Sequence, residues 1–149
     1  MSARDICDIG RRMWQRGYVA GTDSNISVRL GPDRVLCTPT LISKGFMKPA
    51  DLCVVDMAGN QVRGRRKRTT EILVHLAIMQ AQPLAKAVIH CHAPHGTAWA
   101  ALPQTPPADL FPEKEVWLGP IAVAPYRLTG TSELAEVVAP LAQIGRAHV

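Results

Sequence analysis

The spacing of apolar residues changes several times along the chain, and each change marks an element. Ile6, Ile9, Gly10 and Met13 fall at i, i+3, i+4 and i+7, one face of a helix that Ser2 can cap and Gly17 can end. Gly21 to Ser24 is a turn-rich loop. Alternation follows: Ile26 to Leu30 reads as a strand, Gly31-Pro32-Asp33 as a turn, and Arg34 to Cys37 as the returning strand. Leu52 to Asp56 is a third strand, and Ala58-Gly59-Asn60 turns the chain into a short fourth, Gln61 to Arg63. The helical period returns from Thr70 to about Gln82, where Pro83 stops it, with Ile72, His75, Leu76 and Met79 on the inner stripe. On that stripe His75 reads as a structural histidine, not a ligand.

Ala87 to His92 predicts a strand, and Pro94 with His95 opens another helix through Ala101, His95 capping it or lining the edge of a site. Leu102 to Pro112 is proline-rich and irregular. Val116 to Val123 reads as one or two strands broken at Gly119-Pro120, and Thr131 or Ser132 caps a last helix carrying Leu134, Val137, Val138 and Leu141. Early hairpins mixed with helices predict a three-layer α/β/α sandwich around a mixed, largely antiparallel sheet. Neither an internal repeat nor a low-complexity segment interrupts it.

Composition narrows the class. With 149 residues, 47% of them apolar, the chain is one globular domain or a piece of one. Its apolar runs fall far short of the ~20 residues of a membrane span, and MSARDICDIG is charged where a signal peptide is apolar. We therefore expect a cytoplasmic protein with no membrane partner. Cys37 and Cys53, in strand-like apolar surroundings and outside any C-x-x-C pattern, read as buried reduced thiols. The net charge of +5 is local: five bases lie in the run Arg63, Arg65, Arg66, Lys67 and Arg68, and the remaining bases balance the acids. Without interleaved aromatics or a binding module, the run predicts no nucleic-acid partner. It is a solvated loop, or it draws a phosphorylated small molecule towards Thr69 and Thr70, which it feeds into.

Chemistry concentrates between Thr69 and His92. In a strand, His90 and His92 share a face while Cys91 points to the other. Two imidazoles one pleat apart make a clamp for a borderline metal such as zinc. An H-x-H pair is short enough to arise by accident, and an acid such as Glu71 in a helix's first turn is favoured by the macrodipole alone. Neither feature decides by itself.

Their company does. The segments GTDSNISVR, LCTPT with SKG, DLCVVDMAGN, TTEILVHLAI, AVIHCHAPHGTAWA and VAPYRLTGTSELAE, in that order from Gly17 to about Leu141, resemble the class II aldolase/adducin family. The resemblance implies that His90 and His92 are two of three histidine ligands to a catalytic divalent metal, usually zinc, and that Glu71 is the acid/base carboxylate. It implies that Ser24, Asn25, Thr40, Thr69 and Thr70 hold the phosphate of a phosphorylated sugar, consistent with the anion affinity of hydroxyls, loop amides and a helix N-terminus. The reaction implied is cleavage or formation of a ketose phosphate through a zinc-stabilised enediolate, in a homotetramer. A sugar-phosphate 4-epimerase, a dehydratase and a non-catalytic adducin-like assembly domain are the alternatives; glutamate at position 71, where the epimerases tend to carry aspartate, tilts the reading to aldolase.

Three departures from the family pattern stand out. Leu41 replaces a small residue that is often glycine. Phe111 occupies the place of a catalytic tyrosine and cannot donate a proton, leaving Glu113 and Glu115 as nearby acids. The third histidine belongs to a strand after the Leu134–Leu141 helix, and His148 comes too early and lacks the following glycine. Ile144 to Val149 can be written as the translation of a sequencing-library adapter. We expect a native domain over 1–143, a non-native tail over 144–149, a fold incomplete at the C-terminus, and weak zinc binding and no aldolase activity for the chain as it stands.

Overall fold

The computed structural model of the chain describes residues 2–102, 104–107 and 109–143; the expected tail over 144–149, including His148, lies outside the described residues. Helix α1 (Ala3–Gln15) starts where expected. The Ser2 hydroxyl accepts from the Asp5 N–H, and the Asp5 carboxylate accepts from the Ser2 N–H, satisfying two donors the first turn leaves open. Gly17, at φ +73°, lets the chain leave the helix through the left-handed region.

Five strands follow: β1 (Asn25–Arg29), β2 (Arg34–Cys37), β3 (Cys53–Asp56), β4 (Gln61–Arg63) and β5 (Ala87–His90). Their order is β4-β3-β2-β1-β5, and every described ladder is antiparallel. Register divides the side chains between two faces. Ser27 pairs with Cys37 and with Val88, and Val35 with Val55, on one face; Val28 pairs with Leu36 and with Ala87 on the other. α1 covers the second face, packing Ile6, Cys7 and Met13 on Ile26 and Val28. α2 (Ile72–Ala81) covers the first, packing Ile72, Leu76 and Met79 on Val35, Cys37, Cys53 and Val55. After α3 (Pro94–Ala101) comes α4 (Ser132–Val138), capped by the Thr131 hydroxyl, which brings Val138 and Ala142 against Ile78 of α2. The result is the helix–sheet–helix sandwich the pattern predicts.

Burial supplies its stability. Each aliphatic side chain buried as fully as Ile6, Ile26 or Ile72 contributes about 1.5–3 kcal/mol. Truncating Leu76 to Ala would cost about 2–5 kcal/mol, because two helices and the sheet cannot all close the gap. Cys37 and Cys53 are direct cross-strand partners, both buried and free, as read from the sequence; burial pushes the Cys37 thiol up to about 12. No helix among the described residues is long and apolar enough to cross a membrane.

Three expectations need correction. β5 ends at His90, not His92, because its partner β1 begins at Asn25, directly opposite; earlier residues are turn, so residues 91 and 92 have no ladder to join. α2 begins at Ile72 instead of Thr70, since the Thr69 N–H is bonded to the Thr38 carbonyl and Glu71 serves as N-cap. Val116 to Val123 is not a strand. Lys114–Leu118 winds into a single π-helical turn, Gly119 reverses at φ +69°, and the rest runs irregularly, with Pro120 offering no donor to a ladder.

Candidate active site

β1 opens with Asn25 opposite His90, both on the face that α2 covers, and α2 is capped by Glu71. The geometry brings the three side chains together. Glu71 Oε2 accepts from Asn25 Nδ2 at 2.5 Å and from His90 Nδ1 at 2.7 Å. One helical turn on, His75 is 1% exposed and bonds the remaining amide atom, its Nε2 to Asn25 Oδ1 and its Nδ1 to the Ser27 hydroxyl at 2.6 Å.

Only one pattern of donors satisfies this array. A carboxylate only accepts, so the Asn25 amide must turn its NH₂ towards Glu71, which leaves Oδ1 to accept from the His75 Nε2–H. His75 Nδ1 is then bare and accepts from the Ser27 O–H. A buried hydroxyl in the sheet thus fixes an imidazole tautomer, which fixes an amide, which aims a donor at the carboxylate. The hydrogen bond from His90, with help from Asn25, holds Glu71 at about 2 although burial opposes it. Burial pushes His75 down to about 3, the neighbouring His90 adds to the shift, and Glu71 opposes it. His75 is structural, as its place on the inner stripe predicts, and its structural task is orientation of the site.

His92 lies beyond the strand, yet its ring comes back beside that of His90, with centroids 5.0 Å apart. Its N–H donates to the Tyr18 carbonyl, its Nδ1 is 3.9 Å from Asp23 Oδ2, and Cys91 between the histidines packs on the α1 side. Both rings line a cleft of about 220 Å³ together with Glu71 and with Ser24, Asn25, Thr40, Thr69 and Thr70. The eight residues to which the family resemblance gives catalytic, metal or phosphate roles therefore border one cleft. Thr69 Oγ1 accepts from the Glu71 N–H at 3.3 Å, and the Thr40 N–H donates to the Lys67 carbonyl, so the end of the basic run straps the Thr40 loop. Ser24 and Leu41 hold positive φ, 65° and 56°. That conformation is the physical reason a glycine suits position 41.

The donors suit a borderline metal in kind. Each imidazole has a carboxylate on its Nδ1 side, Glu71 for His90 and Asp23 for His92, which is how metal-binding histidines are commonly oriented with Nε2 free to ligate. The two rings supply two ligand positions; among the described residues, no group of three or more histidine, cysteine or acidic side chains is arranged to hold an ion.

Other expectations fall away from the cleft. Phe111, Glu113 and Glu115 do not line it, and Glu115 pairs with Lys114 at 2.6 Å. His95 is exposed on α3, whose N-cap is Ala93. Arg66 pairs with Asp51 at 2.6 Å, outside the cleft. Conversely, Asp23, Ser27 and Lys44 belong to the site and carried no sequence signal beyond adjacency to Ser24-Asn25 or membership of the SKG segment. Lys44 lines the cleft at 1% exposure; burial pushes its ammonium below its ordinary value, against the pull of Asp23 and Glu71.

Known proteins share the fold. The family described as Class II Aldolase and Adducin N-terminal domain matches residues 4–149. A 3-oxo-tetronate 4-phosphate decarboxylase of Haemophilus influenzae is 36% identical over 148 residues, covering 97% of this chain and 70% of the relative. An L-fuculose phosphate aldolase of Methanococcus maripaludis is 38% identical over 134 residues, covering 89% and 70%. Among solved structures, an L-fuculose 1-phosphate aldolase superposes with a TM-score of 0.85 at 29% identity, covering 96% of this chain and 67% of that one.

Proposed function

Because the chain belongs to the class II aldolase and adducin family, we propose that it is a metal-dependent lyase of phosphorylated sugars, cleaving or forming a ketose phosphate as an aldolase does. The observation that carries the proposal is the Glu71 carboxylate, held by His90 and Asn25 beside a second imidazole and across from hydroxyls suited to a phosphate. In a retro-aldol cleavage one carbon–carbon bond breaks, the hydroxyl beyond it loses its proton as it becomes a carbonyl, and the carbon left behind gains one. Glu71 is the group that moves the proton: ionised at neutral pH, buried enough to be directed, and fixed by two donors. Ser24, Thr40, Thr69, Thr70 and the start of α2 hold the phosphate and set the sugar's register relative to Glu71. His90 and His92 would hold the divalent ion, zinc by the chemistry of the donors, which would supply positive charge for the electron pair the bond leaves behind.

A second reading, decarboxylation of a phosphorylated 3-oxo acid, is supported by the 36% identity over 148 residues to a 3-oxo-tetronate 4-phosphate decarboxylase. The adducin-like reading is disfavoured by the joint presence of Glu71, His90 and His92. The working form we take to be a cytoplasmic homo-oligomer, a homotetramer by family resemblance, with exposed Trp117 and Tyr126 as candidate contact residues.

The test is a panel of ketose phosphates and 3-oxo acid phosphates, offered to a version of the protein that carries the expected third histidine and scored for triose-phosphate and for carbon dioxide release, with zinc content measured alongside. His90→Ala should lose zinc and turnover together. Unchanged zinc content in that variant would remove His90 and His92 from the metal assignment, and a panel silent in both products would overturn the lyase reading.

A further inference from the structure

Lys44 heads the largest fully buried side chains among the described residues, yet it is a cation. Its Nζ donates to the carbonyls of Thr22 at 2.9 Å and Ile42 at 2.7 Å. An ammonium has three donors, so one remains. Burying a charge is costly unless an opposite charge meets it. Among the described residues no carboxylate forms an ion pair with Lys44. The two acids that share the cleft are committed elsewhere: Glu71 to Asn25 and His90, and Asp23 Oδ1 to the N–H groups of Ala20 and Gly21.

The position is built with care. The turn Lys44–Phe46 rests on α1 so closely that a Cβ on Gly10 would lie 2.7 Å from the Lys44 carbonyl oxygen. A Cβ on Gly45 would lie 2.7 Å from the Trp14 ring. Both glycines are required by the approach that seats the lysine. Its two acceptors, moreover, belong to the two loops that present the cleft's hydroxyls: Thr22 just before Ser24-Asn25, and Ile42 just after Thr40. Lys44 therefore fastens those loops to each other and sets a positive charge where they meet, on the wall of the cleft, within the field of Asp23 and Glu71 but in an ion pair with neither.

We propose that Lys44 is the anion-recognition residue of this site, its ammonium taking the phosphate of the substrate where the Ser24, Thr40 and Thr69–Thr70 segments converge. The inference rests on the phosphorylated-substrate reading and adds to it the charge that the hydroxyls alone lack. It also separates two roles for basic residues, since the Arg65–Arg68 run lies outside the cleft and acts on approach only.

Inorganic phosphate is the probe. The full chain carrying ¹⁵N-labelled lysine is titrated with phosphate while the Lys44 side-chain signal is followed, and the affinity is measured by calorimetry for the native chain, Lys44→Met and Gly10→Ala. Lys44→Met, similar in length and uncharged, should bind phosphate at least about tenfold more weakly, the scale of one charge-assisted hydrogen bond. Gly10→Ala, which pushes the seated turn from outside the cleft, should weaken it in the same direction. In the native chain the Lys44 signal should move along the calorimetric isotherm. A native chain that binds phosphate with the Lys44 signal unmoved, or a folded Lys44→Met with native affinity, overturns the assignment and leaves the phosphorylated-substrate reading standing. A native chain that binds no phosphate overturns both. Should Lys44→Met fail to fold, the native Lys44 signal alone decides.

Discussion

Acid should destabilise this fold in a window set by His75. In the folded chain burial holds its imidazole neutral, down to about 3. In the unfolded chain it returns to about 6.5. The folded value is the lower one, so the unfolded state takes up the proton first as pH falls. The contribution is complete above about pH 6.5 and declines below it, with a limiting slope of about 1.4 kcal/mol per pH unit. Between pH 7.5 and 5.0 the loss comes to about 2 kcal/mol, and because the folded value lies well below 5 the result does not depend on where it falls. Glu71, held at about 2 against an ordinary 4.5, is lowered too, but in a separate window: its contribution is present above 4.5 and declines only below it. The interval from pH 6.5 to 5.0 therefore isolates the histidine from the carboxylate. Urea unfolding followed by circular dichroism at pH 7.5, 6.0 and 5.0 should show the midpoint dropping by about 1 M overall, given a slope of about 2 kcal/mol per molar. The control is His75→Gln, whose amide can donate to Asn25 and accept from Ser27 but cannot titrate. It should flatten the dependence over that interval while lowering stability at pH 7.5 by about 1 kcal/mol for the imperfect fit. An identical pH slope in the native chain and in His75→Gln would refute the argument, as would a His75 ring signal titrating near pH 6.5 in the folded protein.

Glu71→Gln should leave zinc content unchanged and lower turnover by about 10²–10⁴-fold, the scale of a lost general base, and a variant at full rate would remove Glu71 from the chemistry. Neutralising Arg65, Arg66 and Lys67 together should raise KM for a phosphorylated sugar, more at low ionic strength than at high, with kcat unchanged; loss of DNA or RNA binding instead would restore the nucleic-acid reading. Leu41→Gly should raise the melting temperature slightly, since relief of a left-handed leucine is worth about 1–2 kcal/mol and the glycine's extra unfolded freedom takes back about half of that. A clear loss of stability would mean that the exposed leucine makes contacts that outweigh its strain.

How much of the fold was legible depends on how local its causes are. The Ser2 cap, the 3.6-residue stripe of α1 and the β1–β2 hairpin are written in residues a few places apart, and all appear where the pattern puts them. The end of β5 is different in kind: it is set by where β1 begins, some 65 residues earlier (the separation of Asn25 and His90), and nothing in His90-Cys91-His92 announces it. Val116 to Val123 has the composition of a strand, but composition confers only the ability to pair. Among the described strands β4 and β5 stand at the two edges of the sheet and the segment joins neither, a tight turn at Gly119 taking the strand's place.

The site divides along the same line. Glu71, His90, His92 and the hydroxyls of Ser24, Thr40, Thr69 and Thr70 can be picked out through the family resemblance, because short clusters such as TTEILVHLAI and AVIHCHAPHGTAWA carry it. Ser27 and Lys44 cannot, since each matters only through a partner far along the chain: Ser27 through His75, 48 residues on, and Lys44 through Thr22, 22 residues back. Asn25 shows what the clusters leave out. The resemblance implies a phosphate ligand there, yet its Oδ1 is taken by His75 and one of its amide protons by Glu71, so at most one side-chain N–H is left for a substrate. Its principal task is therefore to transmit orientation from a buried serine to the carboxylate. A sequence displays which groups can do chemistry; which of them are free to do it follows only from the hydrogen bonds that folding has already used.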